Sequence, residues 1–345
     1  MSGIIQARCS LLLGGTLLLA ATVVAGCDGS AGDQDRDEVA ALDPDSLKIS
    51  LEAAEQYLVG GNLNEAEAIG RRMVEAAPKS MESHELLGRI LIARAIGLRD
   101  AGQLEAAREQ WKRASQQYER VVRLAPESAG LHQSAGEVAQ MAGRTGLAIE
   151  LYRRAGELDP ADPRPALYES QLLLTDRQFA EARAAVARVL AIESDQPHAL
   201  ATLAVIEMEQ GNWTAAKDTI ARARAELADD LGIRTIQSRI HRLSGDPERG
   251  LELLLALPES SRAGESVTEE IASCWTALGR PEEAAVAWER CDGMRGPRSG
   301  LLSINAAEAW LAADRPEEAL AWIERAELAG IDAERTQSLR DRLAR

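Results

Sequence analysis

Phenylalanine, tyrosine and tryptophan together supply only 3% of this 345-residue chain, and there is a single Phe. β-Sandwiches and barrels fill their pleated surfaces with aromatic and β-branched side chains, so a chain this poor in rings does not build one. Cysteine is scarce as well. Cys9, Cys27, Cys274 and Cys291 form no CxxC pair and no Cys/His spacing, which excludes the usual zinc frameworks. Positive charge is in deficit, with 39 Lys and Arg against 55 Asp and Glu, a net charge of −16. Binding to nucleic acid depends on Lys and Arg neutralising phosphate, so nucleic acid is not an expected partner. There is no GxSxG, no Walker loop, no HExxH, and no pair of histidines at i, i+4. Paired acids such as Glu282 and Glu283 follow a proline at a helix start, where carboxylates steady the first turn. We therefore expect no catalysis, no metal, no cofactor and no small-molecule substrate.

What is present is apolar residue in plenty, at 46%, much of it alanine. Ala favours helices that pack closely. The first 26 residues stand apart from this pattern. Arg8 is their only positive charge, and an apolar run follows over residues 11–25. It ends in the small residues Val24, Ala25 and Gly26 before Cys27. A short apolar run closing on small residues is a secretory signal pattern. The ending resembles the lipobox of bacterial lipoproteins. That resemblance implies cleavage before Cys27, diacylglycerol on its sulfur and acylation (palmitate or a similar chain) of the new amino terminus. Two or more acyl chains make a firm anchor where one is marginal. An uncleaved signal anchor is the alternative, although the run is short for a span of roughly 20 residues. Both readings put the remainder outside the cytoplasm, on the periplasmic side if the cell has two membranes. Asp28 resembles the enterobacterial signal for inner-membrane retention. Residues 27–45 are acidic and lack periodic apolar positions, and so read as a flexible tether.

From residue 46 on, the chain repeats. Gly143, Gly211, Gly245 and Gly279 fall on a 34-residue grid, and Ala148, Ala182, Ala216, Gly250 and Ala284 fall on a second, five residues later. These residues, with Tyr152, Ala155 and Pro160, resemble the tetratricopeptide repeat family, which keeps a small residue at repeat position 8, Gly at 15, Ala at 20, an aromatic at 24, Ala at 27 and Pro at 32. Eight units start near Leu47, Met81, Ala129, Pro163, Pro197, Leu231, Glu265 and Gly300. Position 8 then holds Ala54, Gly88, Gly136, Ser170, Ala204, Ser238, Ala272 and Ala307, and position 20 holds Ala66, Ala107, Ala148, Ala182, Ala216, Gly250, Ala284 and Ala319, all small. The implied fold is an all-α, right-handed superhelical solenoid of about eight hairpins over residues 46–345. Residues 331–345 read as a charged capping helix. Repeat two, residues 80–127, is longer by 14 residues, split evenly between its two helices. Seven residues add about 10 Å to a helix. We expect one long hairpin over 80–101 and 104–124. Residues 291–300 read as a loop that shifts the grid by one.

The resemblance also sorts the singular residues. His84 and His132 stand at a packing position. Trp111, Trp288, Trp275 and Trp310 stand at core positions and Trp213 at an apolar one, leaving Trp322 off the pattern. Cys274 and Cys291 lie at positions 10 and 27 of antiparallel helices, about 9–10 Å apart along the axis, too far for a disulfide. The family's concave face implies a partner-binding groove of Arg164, Leu167, Gln171 and Leu174 in repeat four, His198, Val205, Met208 and Glu209 in repeat five, and Arg239, Arg242 and Leu243 in repeat six. Its apolar middle and basic step suit a peptide or helix that is partly apolar and partly acidic. The Lys/Asn/Arg clamp that some members use on acidic chain ends has no full match. The expected role is a protein-binding scaffold or assembly factor in a bacterial cell envelope, joined to a membrane through Cys27. The alternative is an activating or regulatory subunit of an envelope enzyme.

Overall fold

A computed structural model describes residues 44–295, 300–331 and 333–344. The signal segment, Cys27 and nearly all of the tether lie outside the described residues. Among those described there are eighteen α-helices and no strand. They are all paired as antiparallel hairpins, apart from one short connector and the last helix. The chain forms two compact units that divide after Ile192.

The first unit holds four hairpins. These are α1 (Pro44–Val59) with α2 (Leu63–Ala76), α3 (Met81–Asp100) with α4 (Leu104–Leu124), α5 (Ala129–Met141) with α6 (Thr145–Leu158), and α7 (Pro163–Thr175) with α8 (Phe179–Ile192). The second unit begins with α9 (Pro197–Glu209) and α10 (Trp213–Glu226), then α11 (Leu231–Leu243) and α12 (Pro247–Leu255). After the connector α13 (Glu259–Arg262) come α14 (Glu265–Ala277) with α15 (Pro281–Arg295), and α16 (Gly300–Ala312) with α17 (Pro316–Leu328). The closing helix α18 (Ala333–Leu343) lies against α17 and α16.

Seven of the eight leading helices begin on the residue the grid assigns, and α1 begins at Pro44, taking the last two residues given to the tether. Side chains fix several of these starts. Ser80, Ser128 and Asp230 accept hydrogen bonds from Ser83, Leu131 and Ile233 backbone N–H groups at 3.2, 3.4 and 2.9 Å. The leading helices stop on a left-handed residue. Gly143 has φ 73°, and the next N–H, that of Arg144, returns to the Ala139 carbonyl at 2.9 Å. Repeats four and eight lack glycine there, and Arg177 and Asp314 adopt φ of 59° and 58° in its place. Turn geometry is thus enforced by the hairpin even where the residue resists it.

All sixteen grid residues are buried. Their smallness is used directly. A Cβ on Gly250 of α12 would meet the Ser238 carbonyl oxygen of α11 at 2.8 Å, so positions 8 and 20 do face one another. A Cβ on Gly136 would press 2.8 Å from the Tyr152 ring. The long hairpin follows the expectation closely, since α3 and α4 span 81–100 and 104–124. Its extra layer is dry: Ala95, Ala107, Trp111 and Ala114 are all buried.

One local reading needs correction. Residues 291–295 are not loop, because α15 runs on to Arg295. Cys291 and Asp292 are fully packed, and that burial carries the helix past the glycine at 293. Trp322, off the core pattern, is half-buried and anchored. Its Nε1 donates to Glu289 at 2.6 Å, beside Trp310, whose Nε1 donates to the same oxygen at 2.7 Å. Cys274 and Cys291 are buried free thiols, and burial pushes Cys274 up to about 11.

Glycine substitutions separate packing from helix propensity. Gly97, inside α3, has open space where a Cβ would go. Gly97→Ala should raise unfolding free energy by about 0.5–1 kcal/mol. Gly136→Ala should lower it despite the same propensity gain, and urea denaturation of the two variants reads both signs.

Candidate protein-binding surface

Leading helices carry the groove residues implied by the repeat pattern, and the two units share them out. In the first unit α7 presents Arg164 and Gln171 as exposed, with Leu167 and Leu174 half-buried. Arg164 folds back on its own helix cap, with Nη2 2.7 Å from Asp162. In the second unit His198, Val205 and Glu209 of α9 are half-buried, as are Arg239 and Arg242 of α11, and Leu243 is 47% exposed.

Met208 does not belong to an open face. It is 4% exposed. Residues 199–202 and 206–208 of α9 are all buried, so this helix is enclosed on most sides, and a rule that assigns one wet face to a half-dry helix fails there. The basic step also changes meaning. Glu270 of α14 is 2% exposed, and Arg242 donates to it from Nε at 2.7 Å while Arg239 Nε lies 3.2 Å away. Both guanidiniums share one internal carboxylate, so they are held against α14 and are not free cations on an open face.

Glu270 exemplifies a device that the repeat pattern does not announce. Glu67 of α2, 7% exposed, collects Arg71 at 2.7 Å, Arg94 at 3.1 Å and Arg113 at 2.7 Å from three successive helices. Glu169 of α7 takes Arg153 of α6 at 3.0 Å and Arg188 of α8. Asp292 of α15 takes Arg325 of α17, and Ser303 of α16 donates to it at 2.8 Å. Each buried acid joins helices of adjoining hairpins. Three of these acids sit within two residues of a grid position, Glu67 after Ala66, Glu169 before Ser170 and Glu270 before Ala272, but the exposed Arg89, Arg108 and Glu181 adjoin grid residues as well, so adjacency alone does not single the buried acids out.

His84 and His132 are structural. His84 is 5% exposed, with Nδ1 2.8 Å from Gln117 Oε1 and Nε2 3.1 Å from the Pro78 carbonyl oxygen. His132, 7% exposed, has Nδ1 2.9 Å from the Ser128 carbonyl oxygen. Among the described residues no group of His, Cys, Asp and Glu could hold a metal ion, and no helix is long and apolar enough to cross a membrane.

Stacked antiparallel hairpins with small residues at each crossing define a helical-repeat protein that works through its surface. Tetratricopeptide repeat models match residues 92–163 and 173–240. The human tetratricopeptide repeat protein 7A is 28% identical over 104 residues, covering 30% of this chain and 12% of that protein. The chain thus matches only about an eighth of this curated relative's length. Among solved structures, a tetratricopeptide repeat protein from Parabacteroides merdae aligns with TM-score 0.54 and 16% identity, covering 75% of this chain and 99% of the other. The Cut9–Hcn1 hetero-tetramer of APC/C aligns at 0.58 and 13%, over 87% of this chain and 56% of the other. Yeast Tom70 aligns at 0.54 and 13%, over 92% and 65%. At such identities the likeness is one of fold. The chain carries tetratricopeptide repeats, and such repeats serve as scaffolds that bind protein or peptide partners.

Burial opposes ionisation of Glu67, but hydrogen bonds from Arg71 and Arg113 and the charge of Arg94 outweigh it and hold the carboxyl below its ordinary value. A depressed acid contributes stability above its unfolded pKa and loses it as pH falls through the folded one. Glu67→Gln should therefore cost on the order of 2 kcal/mol near neutrality. The gap between variant and parent should close as the medium is acidified below the usual Glu range, which denaturation at a series of pH values measures.

Proposed function

We propose that this protein is a docking scaffold of a bacterial cell envelope. In this reading lipid on Cys27 holds it to a membrane, the repeats face away from the cytoplasm, and a peptide or helix of a protein partner seats on the leading-helix face. The observation that carries the docking surface is the set of half-buried and exposed side chains on α9 and α11. Val205 and Leu243 supply apolar area beside the polar Glu209, Arg239 and Arg242. A mixed face of this kind suits helix-in-groove or extended-peptide recognition. Assembly with a second protein has a parallel in Cut9, whose structure is a hetero-tetramer with Hcn1. The envelope location is supported by the run of residues 11–25 and the lipobox-like Val24-Ala25-Gly26-Cys27.

The test leaves Arg239 and Arg242 intact, because removing them strands Glu270 in the interior. Leu243→Asp should abolish recovery of the partner crosslinked in intact cells, with the thermal unfolding midpoint unchanged, since Leu243 is 47% exposed. Cys27→Ala should release the chain from the membrane fraction. Full partner recovery with Leu243→Asp would remove the docking surface, and membrane retention of Cys27→Ala would remove the lipid anchor.

A further inference from the structure

Tyr118 of α4 and Tyr152 of α6 hold corresponding places in consecutive hairpins of the first unit, and each ring lies over a glycine of its leading helix, Gly88 or Gly136. Their hydroxyls differ. Tyr152 donates to Gln140 Oε1 at 3.0 Å, and Gln140 stands four residues after Gly136. Four residues after Gly88 stands Ile92, which has no acceptor in its side chain. Tyr118 is 6% exposed, and its hydroxyl has no hydrogen-bond partner among the described residues. A buried phenol ordinarily finds one. The ring is enclosed while the oxygen at its tip reaches solvent.

The charges around that oxygen are acidic on balance. Glu85 and Arg89 of α3 and Glu137 of α5 are the groups whose fields reach it. Arg89 is committed to Glu55 of α1, donating from Nη1 at 3.0 Å. Glu137 is exposed and accepts only from the neutral amide of Gln133, at 3.1 Å. Glu85 is half-buried and has neither an ion pair nor a hydrogen bond among the described residues. Arg164 of α7 acts on Glu137 from a distance, but its guanidinium is held by Asp162. Arg89 and Arg164 are thus offset by Glu55 and Asp162, and Glu85 and Glu137 are left without a counter-charge. Burial first, and then the charge of Glu85, pushes Tyr118 up to about 12, so the phenol stays neutral beside them.

We propose that this face of the first unit docks a basic segment of a protein partner, with a lysine ammonium seated among Glu85, Glu137 and the Tyr118 hydroxyl. An ammonium carries three N–H donors and no acceptor. Two carboxylates and one phenol oxygen are the matching acceptors. Ile92, half-buried on the same stripe of α3 as Glu85 and Arg89, gives apolar support to the aliphatic stem of the lysine, which an inorganic cation would not use. Charge complementarity fixes the sign of the occupant. The site is separate from the face of α9 and α11 and does not depend on it.

The test uses the full chain and a fluorescein-labelled repeating Lys/Ala peptide, followed by anisotropy in about 0.15 M salt, where remote charges are screened. A chain of net charge −16 attracts any polycation, so the variants decide. Tyr118→Phe deletes an oxygen that bonds to no other residue in the free protein. It should leave the thermal unfolding midpoint unchanged and weaken Lys/Ala binding about tenfold, as for a lost hydrogen bond to a charged group. Glu85→Gln should weaken binding by a similar factor. Glu150→Gln makes the same change of charge on the exposed surface of α6, and should alter binding by less than about twofold. Tyr152→Phe, which breaks the bond to Gln140, should lower the midpoint and leave binding unchanged. The same peptide with every lysine acetylated should not bind. Absence of Lys/Ala binding would overturn the proposal, as would binding that Tyr118→Phe and Glu85→Gln change no more than Glu150→Gln does. Spermidine that bound as tightly as the peptide, with the same response to Tyr118→Phe, would replace the protein segment with a small polyamine and so overturn it too.

Discussion

Two helices can approach to about 8–9 Å only where neither has a large side chain at the point of crossing. In this protein that constraint recurs in every hairpin. Positions 8 and 20 are Ala, Gly or Ser in all eight repeats, and every one of them is buried. The close approach sets the pitch of each hairpin. The larger core residues then fill the space on either side of the crossing. Tyr152 lies over Gly136, and Tyr118 lies over Gly88 in the same way. The long hairpin obeys the same rule twice, with Ala95 and Ala107 forming a further buried level beyond Gly88.

Such a core is thin, and two helices of small residues bury little area each. The structure compensates with charge. Glu67, Glu169, Glu270 and Asp292 are each almost fully withdrawn from water, and each is met by arginine from a neighbouring helix. A buried acid left alone would cost several kcal/mol, so each set holds only while the adjoining helices keep register. Cation–π stacking adds smaller ties: Arg280 lies over Trp275 and Arg315 over Trp310, linking a leading helix to its own turn in two successive repeats. Charge is therefore used for assembly inside the stack, and only what is left over is available to partners.

That distinction explains what is legible in the sequence and what is not. Helix starts, the long hairpin and the sixteen crossings follow from local periodicity, because small residues and turn glycines act on their immediate neighbours. The end of α15 is not legible, since Gly293 signals a stop that the burial of Cys291 and Asp292 overrides. Side-chain roles on the leading helices are less legible still. Position alone gives Met208 and Val205 similar places, yet Met208 is enclosed and Val205 half-open. Arg239 and Arg242 look like free cations until Glu270, about 30 residues further on, is placed beside them. Spacing within one repeat carries no record of such pairings, which depend on the neighbouring repeat.

The claim on which the rest depends is that small size at the crossings, and not helix propensity or composition, holds the hairpins together. Urea denaturation of Ala148→Leu against Ala106→Leu tests it most directly, for the first residue is fully buried in α6 and the second exposed on α4. Both changes keep a strong helix former. The account requires Ala148→Leu to lose about 1–3 kcal/mol through overpacking, with Ala106→Leu within about 0.5 kcal/mol of the parent. Equal stability of the two variants would contradict it.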